Sequence, residues 1–201
     1  VTQGLLAGLC QKGLVALPWT DSARSLQARL SFLRRMLGPE WPDVSDAALL
    51  ASLEDWLQPY LAGMSRLSHL ERLSLDEILL NRLDHLQRRQ LAEFAPTHLA
   101  VPSGSQIRVD YGEGEVPVLR VRLQELFGLK ETPRLARGKV AVMLHLLSPA
   151  QRPVQVTQDL AGFWQRTWPE VKKELKGRYP KHHWPDDPLT AVASRKVRPR
   201  R

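Results

Sequence analysis

The stretch richest in reactive side chains is "ELKGRYPKHHWPDDP", residues 174 to 188. It sets Lys176, Arg178 and Lys181 among Tyr179, His182, His183, Trp184, Asp186 and Asp187, with prolines between them. Paired histidines and aspartates are ligand types for a transition metal. Adjacent histidines, however, point in different directions along an extended chain, and a metal site also needs outer hydrogen bonds that hold its ligands. The segment suits a polyanion better, because cations neutralise phosphates and interleaved aromatic rings stack on bases. A structural role fits beside that one. Trp184 and Tyr179 pin a proline-stiffened strap to the domain, which leaves Lys176, Arg178 and Lys181 facing a phosphate backbone. No metal is expected.

Catalytic chemistry finds little support elsewhere. Cys10 is the single cysteine. It excludes an internal disulfide and a cysteine-based zinc site, and it fits a reducing cytoplasm. "LLAGLCQKG" lacks the basic flank and small residue of a secretion or lipidation signal. Ser103 and Ser148 lie in Gly/Pro turns without a nucleophile elbow. "GEG" at 112–114 follows a strand but opens no helix, so it reads as a hairpin turn and not as a phosphate loop. His98 and His145 fall in predicted strands, and His145, inside the apolar run "VMLHLLS", reads as a core histidine. The carboxylates sit mainly at helix caps, where they serve the helix dipole. On its residues alone the chain is not expected to be an enzyme or to take a cofactor of its own.

The elements that must position these side chains fall into two halves. Residues 1–97 carry 10 Lys/Arg and 11 Asp/Glu, whereas residues 157–201 carry 11 and 5. The net charge of +8 is therefore concentrated at one end, as a polyanion partner would require. The first half reads as helices. Leu26, Leu30, Leu33 and Leu37 recur at helical spacing, with Thr20 or Asp21 as cap and Gly38–Pro39 as stop. A second helix follows Ser45 and buries Leu49, Leu53 and Trp56 or Leu57. Ser74 with Glu77 makes a capping-box pattern for a helix that carries Ile78, Leu79, Leu83 and Leu86 and runs on to about Phe94. Arginines on the outer faces read as solvated surface.

At Pro96 the period changes to two. "THLAVPSG", "SQIRVDYG", "VPVLRVRL", "KVAVMLHLLS" and "RPVQVT" read as strands. Ile107, Val109 and Tyr111 alternate with Arg108 and Asp110. Leu119, Val121 and Leu123 alternate with Arg120 and Arg122, which puts both arginines on one sheet face. Thr157 is expected to cap the helix "QDLAGFWQ", and Thr167 with Glu170 to cap the next. Trp168, Val171 and Leu175 then face inward, while Lys172, Lys173 and Lys176 are solvated on the opposite face. The final "TAVASRKVRPRR" has no apolar period and is expected to be disordered. The fold class is α+β: a helical unit (1–95), a small mostly antiparallel sheet or barrel with C-terminal helices (96–188), and a disordered basic tail (189–201).

Three stretches carry a resemblance. "PTHLAVPSGSQIRVDYGEGEVPVLRVRLQELFGL", "HLLSPAQRPVQVTQDLAGFW" and "EVKKELKGRYPKHHWPDDP" closely resemble the end of bacterial HrpB-type ATP-dependent helicases, a branch of the DEAH-box RNA helicases. The likeness runs from about Leu14 to Pro188. Relatives tend to read Pro and Glu where this chain has His183 and Asp186, which weakens the metal reading further. The resemblance implies a cytoplasmic parent that binds ATP and Mg²⁺, hydrolyses ATP and acts on nucleic acid, RNA in particular. It also implies that the phosphate loop, the DEAH-type box and the arginine fingers precede Val1, and a first residue other than Met fits an excised part of such a protein. The expected role is an accessory module that adds nucleic-acid affinity through Arg108, Arg120, Arg122, Lys172, Lys173, Lys176, Arg178, Lys181, Arg195, Lys196 and Arg198. The alternative is a docking module that binds a protein partner or packs on the helicase core. One continuous basic face would favour the first reading, and cations scattered around a large apolar patch the second.

Overall fold

The computed structural model describes residues 2–195. The chain forms two compact units, one ending at Ala95 and the other beginning at Pro96.

The first unit is helical: α1 (Thr2–Lys12), α2 (Asp21–Leu37), α3 (Asp46–Ala51), α4 (Leu53–Trp56), α5 (Leu75–Leu80) and α6 (His85–Phe94), joined by short 3-10 turns. In α2 the Thr20 hydroxyl accepts from the Ala23 N–H, and Gly38 closes the helix at φ 126°, where a side chain is strained. Leu26, Leu30 and Leu33 are buried, with Phe32 beside them, and α2 packs on α5 and α6. Its arginines are not all solvated surface. Arg29 donates to the carbonyls of Leu91 and Ala95, so a cation caps the C-terminal end of α6. Arg24 lies 3.8 Å over the Trp19 ring and pairs with Asp46.

Two helices expected as one are divided. The segment after Ser45 breaks at Ser52 between α3 and α4, and both Trp56 and Leu57 are buried. The segment after Ser74 also stops, at Leu80, and a turn leads into α6. Ser74 makes no side-chain cap. The capping box is instead Asp84 with Gln87, which turns Leu86 outward, 52% exposed.

The second unit carries β1 (His98–Ala100), β2 (Gln106–Asp110), β3 (Val118–Arg122), β4 (Arg134–Leu135), β5 (Val140–Ala141), β6 (Met143–Leu147) and β7 (Pro153–Thr157). Five strands make an open sheet in the order β1-β2-β3-β6-β7, and β4 and β5 form a separate ribbon. The sheet is not a barrel, and it is mixed: β3 and β6 run parallel, while the other three pairs are antiparallel. A parallel pair needs a long crossover, supplied here by residues 123–142, which include the β4–β5 ribbon. Alternation holds where one face is buried: Val109, Leu119, Val121, Leu144 and Leu146 point into the core.

After β7 the helix is continuous: α7 (Leu160–Gly162), a π turn (Phe163–Thr167) and α8 (Trp168–Arg178). The two expected threonine caps are therefore not found: Thr157 instead accepts from the Asp159 N–H just before the helix. Asp159 caps α7, its carboxylate accepting from the Gly162 N–H, and Thr167 lies inside the run without a capping bond. The wide turn lets Phe163, Trp164 and Trp168 all enter the core. There Phe127, Trp164 and Trp168 stack edgewise or tilted with centroids 5.7–6.1 Å apart.

Candidate nucleic-acid interface

The strap closes over this aromatic cluster. Trp184 is 9% exposed and its ring centroid lies 6.3 Å from that of Trp168. Its Nε1–H donates to the Tyr179 carbonyl at 2.9 Å, and the Trp168 Nε1–H donates to the Pro185 carbonyl at 3.2 Å. The Tyr179 hydroxyl meets that of Ser148 at 3.1 Å. Pro188 then accepts from the Gly128 N–H at 2.8 Å. His182 lies against Trp184, and burial, with help from the Arg122 charge, lowers its pKa below the usual histidine value.

The path does not dissolve after Pro188. Ser194 N–H donates to the Gln124 carbonyl, and Arg195 approaches Glu125 at 3.9 Å. Residues 189–195, expected as the start of a disordered tail, are therefore held to the segment that follows β3. Local turn bonds at Asp187 and backbone pairing can order a stretch that has no apolar period. The rest of the tail, with Lys196 and Arg198, lies outside the described residues.

Cross-strand register gathers basic side-chain types on the outer sheet face. His98 pairs with Arg108 across β1 and β2, and Arg120 with His145 across β3 and β6. The β2–β3 pairing ends at Val109 opposite Leu119, and Arg108 and Arg120 are the next residues on the two strands, on the other face from that pair. His145 in turn pairs with Val156 of β7. All five strands thus contribute to one row: His98, Arg108, Arg120, His145, Val156. His145 is not a core histidine. Its neighbours Leu144 and Leu146 take the inward positions, so it faces out, half-buried. Arg120 pairs with Asp110 and Glu113, whereas Arg108 makes no ion pair among the described residues.

The remaining candidates divide by engagement. Lys172 is bound to Asp186 and its side chain is only 23% exposed, so it is not the solvated lysine that helix spacing predicts. Lys172, first by its hydrogen bond, and then Lys176 by charge hold the Asp186 carboxyl below the usual range. Arg178 pairs with Glu174 at 3.2 Å along α8. Lys173, Lys176 and Lys181 are exposed and form no ion pair among the described residues.

Arg122 and Arg195 converge on one carboxylate that sequence reasoning missed. Glu125 is 3% exposed. Its oxygens accept from the hydroxyls of Ser103 (2.9 Å) and Ser105, and from Arg122 Nε at 3.1 Å. Burial alone acts to raise its pKa and is the largest single influence. The bonds from Ser105, Ser103 and Arg122, with the Arg122 charge, together outweigh burial and hold the carboxyl below its ordinary range. The sequence signal was an acid amid "LQELFGL" with Arg122 three residues before it, but its other partners, Ser103, Ser105 and Arg195, lie about twenty residues before and seventy after, out of reach of any local pattern.

Among the described residues no His, Cys, Asp and Glu gather in a group of three that could hold a metal ion. The "GEG" turn joins β2 to β3, with Gly112 N–H satisfied by Asp110, so it offers no phosphate cradle at a helix start. Among the described residues no helix is long and apolar enough to cross a membrane.

The model of the family "ATP-dependent helicase C-terminal" matches residues 56–188. Over 198 residues the chain is 45% identical to the ATP-dependent RNA helicase HrpB of Escherichia coli strain K12, a match covering 98% of this chain and 24% of that protein. A crystal structure of the E. coli DExH-box NTPase HrpB superposes with a TM-score of 0.90 at 45% identity, covering 97% of this chain and 24% of that one. A crystal structure of the Escherichia coli DEAH/RHA helicase HrpB gives 0.75 at 44% identity, covering 91% and 23%. The chain spans about a quarter of the length of the relatives it matches.

Proposed function

Because the chain belongs to the ATP-dependent helicase C-terminal family, we propose that it serves an ATP-dependent RNA helicase as an accessory module that adds nucleic-acid affinity. ATP and Mg²⁺ are handled by the helicase core of such a protein, which is this module's partner within the polypeptide, and a reducing cytoplasm suits the lone Cys10. RNA is the substrate named for the E. coli relative. The observation that carries the reading is the row His98–Arg108–Arg120–His145. In that row Arg108 is exposed and forms no ion pair among the described residues, so it offers a charge to a phosphate backbone beside the paired Arg120. Lys173, Lys176 and Lys181 add exposed charge. The docking alternative has less behind it, since the exposed large hydrophobics Val15, Leu86 and Val156 sit singly on different elements and only Leu189 and Val192 are neighbours.

The test separates engaged from free cations. Arg108→Glu and a Lys173→Glu/Lys176→Glu double variant are expected to fold normally and to bind single-stranded RNA more weakly. If each side chain meets one phosphate, the log–log salt slope falls by roughly 0.7 per contact removed. Lys172→Glu is a poor probe, because it also breaks the pair with Asp186. Binding titrations at several salt concentrations decide the matter: unchanged slopes in both variants would reject the nucleic-acid role and favour docking.

A further inference from the structure

The β4–β5 ribbon closes on a strained, basic turn that lies outside the row on the sheet. Ala136, Arg137 and Gly138 follow one another at φ 51°, 58° and 75°. Glycine enters that region freely, whereas alanine and arginine are strained in it. A hairpin turn with positive φ at its centre ordinarily sets Asn or Asp before the Gly, and here Arg137 takes that place. Such strain persists only where the surroundings over-determine the backbone, and it gathers at binding sites. The Lys139 N–H donates to the Ala136 carbonyl at 3.1 Å. Arg134 donates to the carbonyls of Gly138 and Lys139 at 2.7 and 3.4 Å. Leu135 and Ala136 are buried. At the foot of the ribbon the Val142 N–H donates to the Pro133 carbonyl and the Gln158 amide to that of Ala141. Thr132 joins the Gln158 carbonyl to the Leu160 N–H at the start of α7. A turn held this firmly loses little freedom when a partner binds it.

What the turn presents is charge. Arg137, Gly138 and Lys139 are exposed, and nothing packs within 4 Å of the place where a side chain would start at Gly138. Residues 132–158 contain Arg134, Arg137, Lys139 and Arg152 and no Asp or Glu, so the ribbon has no carboxylate of its own to neutralise them. Its apolar residues are buried or half-buried, and none of the exposed large hydrophobics lies on it. A protein interface would need a desolvated apolar centre that the tip lacks. A phosphate contact needs only exposed cations in a fixed place, and an open glycine lets a phosphate come close to the turn. On the reading that the module binds nucleic acid, we propose that the β4–β5 turn is a second contact point for the phosphate backbone. Arg137 and Lys139 each meet one phosphate, and Arg134 holds the turn that positions them. The contact reads phosphates, so it carries no sequence preference.

The test is the affinity of the full chain for single-stranded RNA of two unrelated sequences at several salt concentrations. Arg137→Asn removes the charge and supplies a residue that the turn geometry favours. It is expected to keep the melting temperature or raise it, since the contacts of an exposed arginine add little to stability, and to lower the log–log salt slope by about 0.7. The Arg137→Asn/Lys139→Gln double variant should lower it by about twice that. Arg137→Lys keeps a cation that phosphates accept and should hold the wild-type slope. Both RNA sequences should respond alike. Binding that Arg108→Glu weakens while the turn variants leave it unchanged would overturn this inference alone. A wild type that binds no RNA would overturn the reading it rests on as well. A lower melting temperature in Arg137→Asn would make Arg137 a structural residue, and tighter binding of a glutamate oligomer than of RNA of equal charge would make the partner an acidic protein; either result overturns the assignment.

Discussion

Trp184→Ala is expected to lower the unfolding free energy by about 3 kcal/mol, the lower end for a buried tryptophan. The indole is 9% exposed, packs on Trp168 and gives its N–H to the Tyr179 carbonyl, so the variant loses apolar burial, an aromatic contact and a hydrogen bond together. The loss also spreads. Trp168 donates to the Pro185 carbonyl and Gly128 to that of Pro188, and both bonds depend on the strap lying where Trp184 holds it. Trp184→Phe keeps an aromatic filler and loses chiefly the N–H, so it should cost about 1 kcal/mol. Urea unfolding of the three proteins reads both numbers. Equal midpoints for wild type and Trp184→Ala would show that the strap contributes nothing. The strap also positions Lys181, so the alanine variant should bind single-stranded RNA more weakly even where it remains folded.

Where the sequence was legible, one face of an element was buried and the other was not. The alternation of Ile107, Val109 and Tyr111 with Arg108 and Asp110 marked β2, because a half-buried strand leaves that trace. Thr20 and Gly38 bracketed α2 because a cap and a left-handed stop are local chemistry. His145 was misplaced by its apolar neighbours, although the same period-two rule that works in β3 puts Leu144 and Leu146 inward and His145 out. Leu83 and Leu86 kept helical spacing across a turn, and that hid the break; the Asp84/Gln87 box was present in the letters but overshadowed by Ser74/Glu77. The parallel pairing of β3 with β6 left no trace, since the crossover between them contains no α-helix, only the 3-10 turn Leu123–Leu126 and the β4–β5 ribbon. Of the site, the basic residues were visible, but which of them are free was not. Arg120 and Lys172 are neutralised by Asp110, Glu113 and Asp186, and such pairings are set by the fold and not by spacing.

Glu125→Ala is expected to cost about 3 kcal/mol at pH 7, the lower end for breaking a buried pair, because Arg122 keeps some access to water. The carboxylate gathers the turn at Ser103 and Ser105, the end of β3 through Arg122, and the approach of Arg195. Removing it leaves two hydroxyls and a guanidinium facing a hole. Glu125→Gln keeps the shape and one acceptor but drops the charge, so about 2 kcal/mol should go. The pH dependence distinguishes charge from shape. The folded pKa of Glu125 lies below its ordinary 4.5. A carboxyl with a depressed folded pKa adds stability that is fully present above the unfolded value and is lost as pH falls through the folded one. The gap between wild type and Glu125→Gln should therefore hold constant at neutral pH and close progressively below about pH 4.5. Urea midpoints across that range test it: a gap that persists unchanged in acid would mean that packing, and not the ionised carboxylate, ties the turn, β3 and the C-terminal segment together.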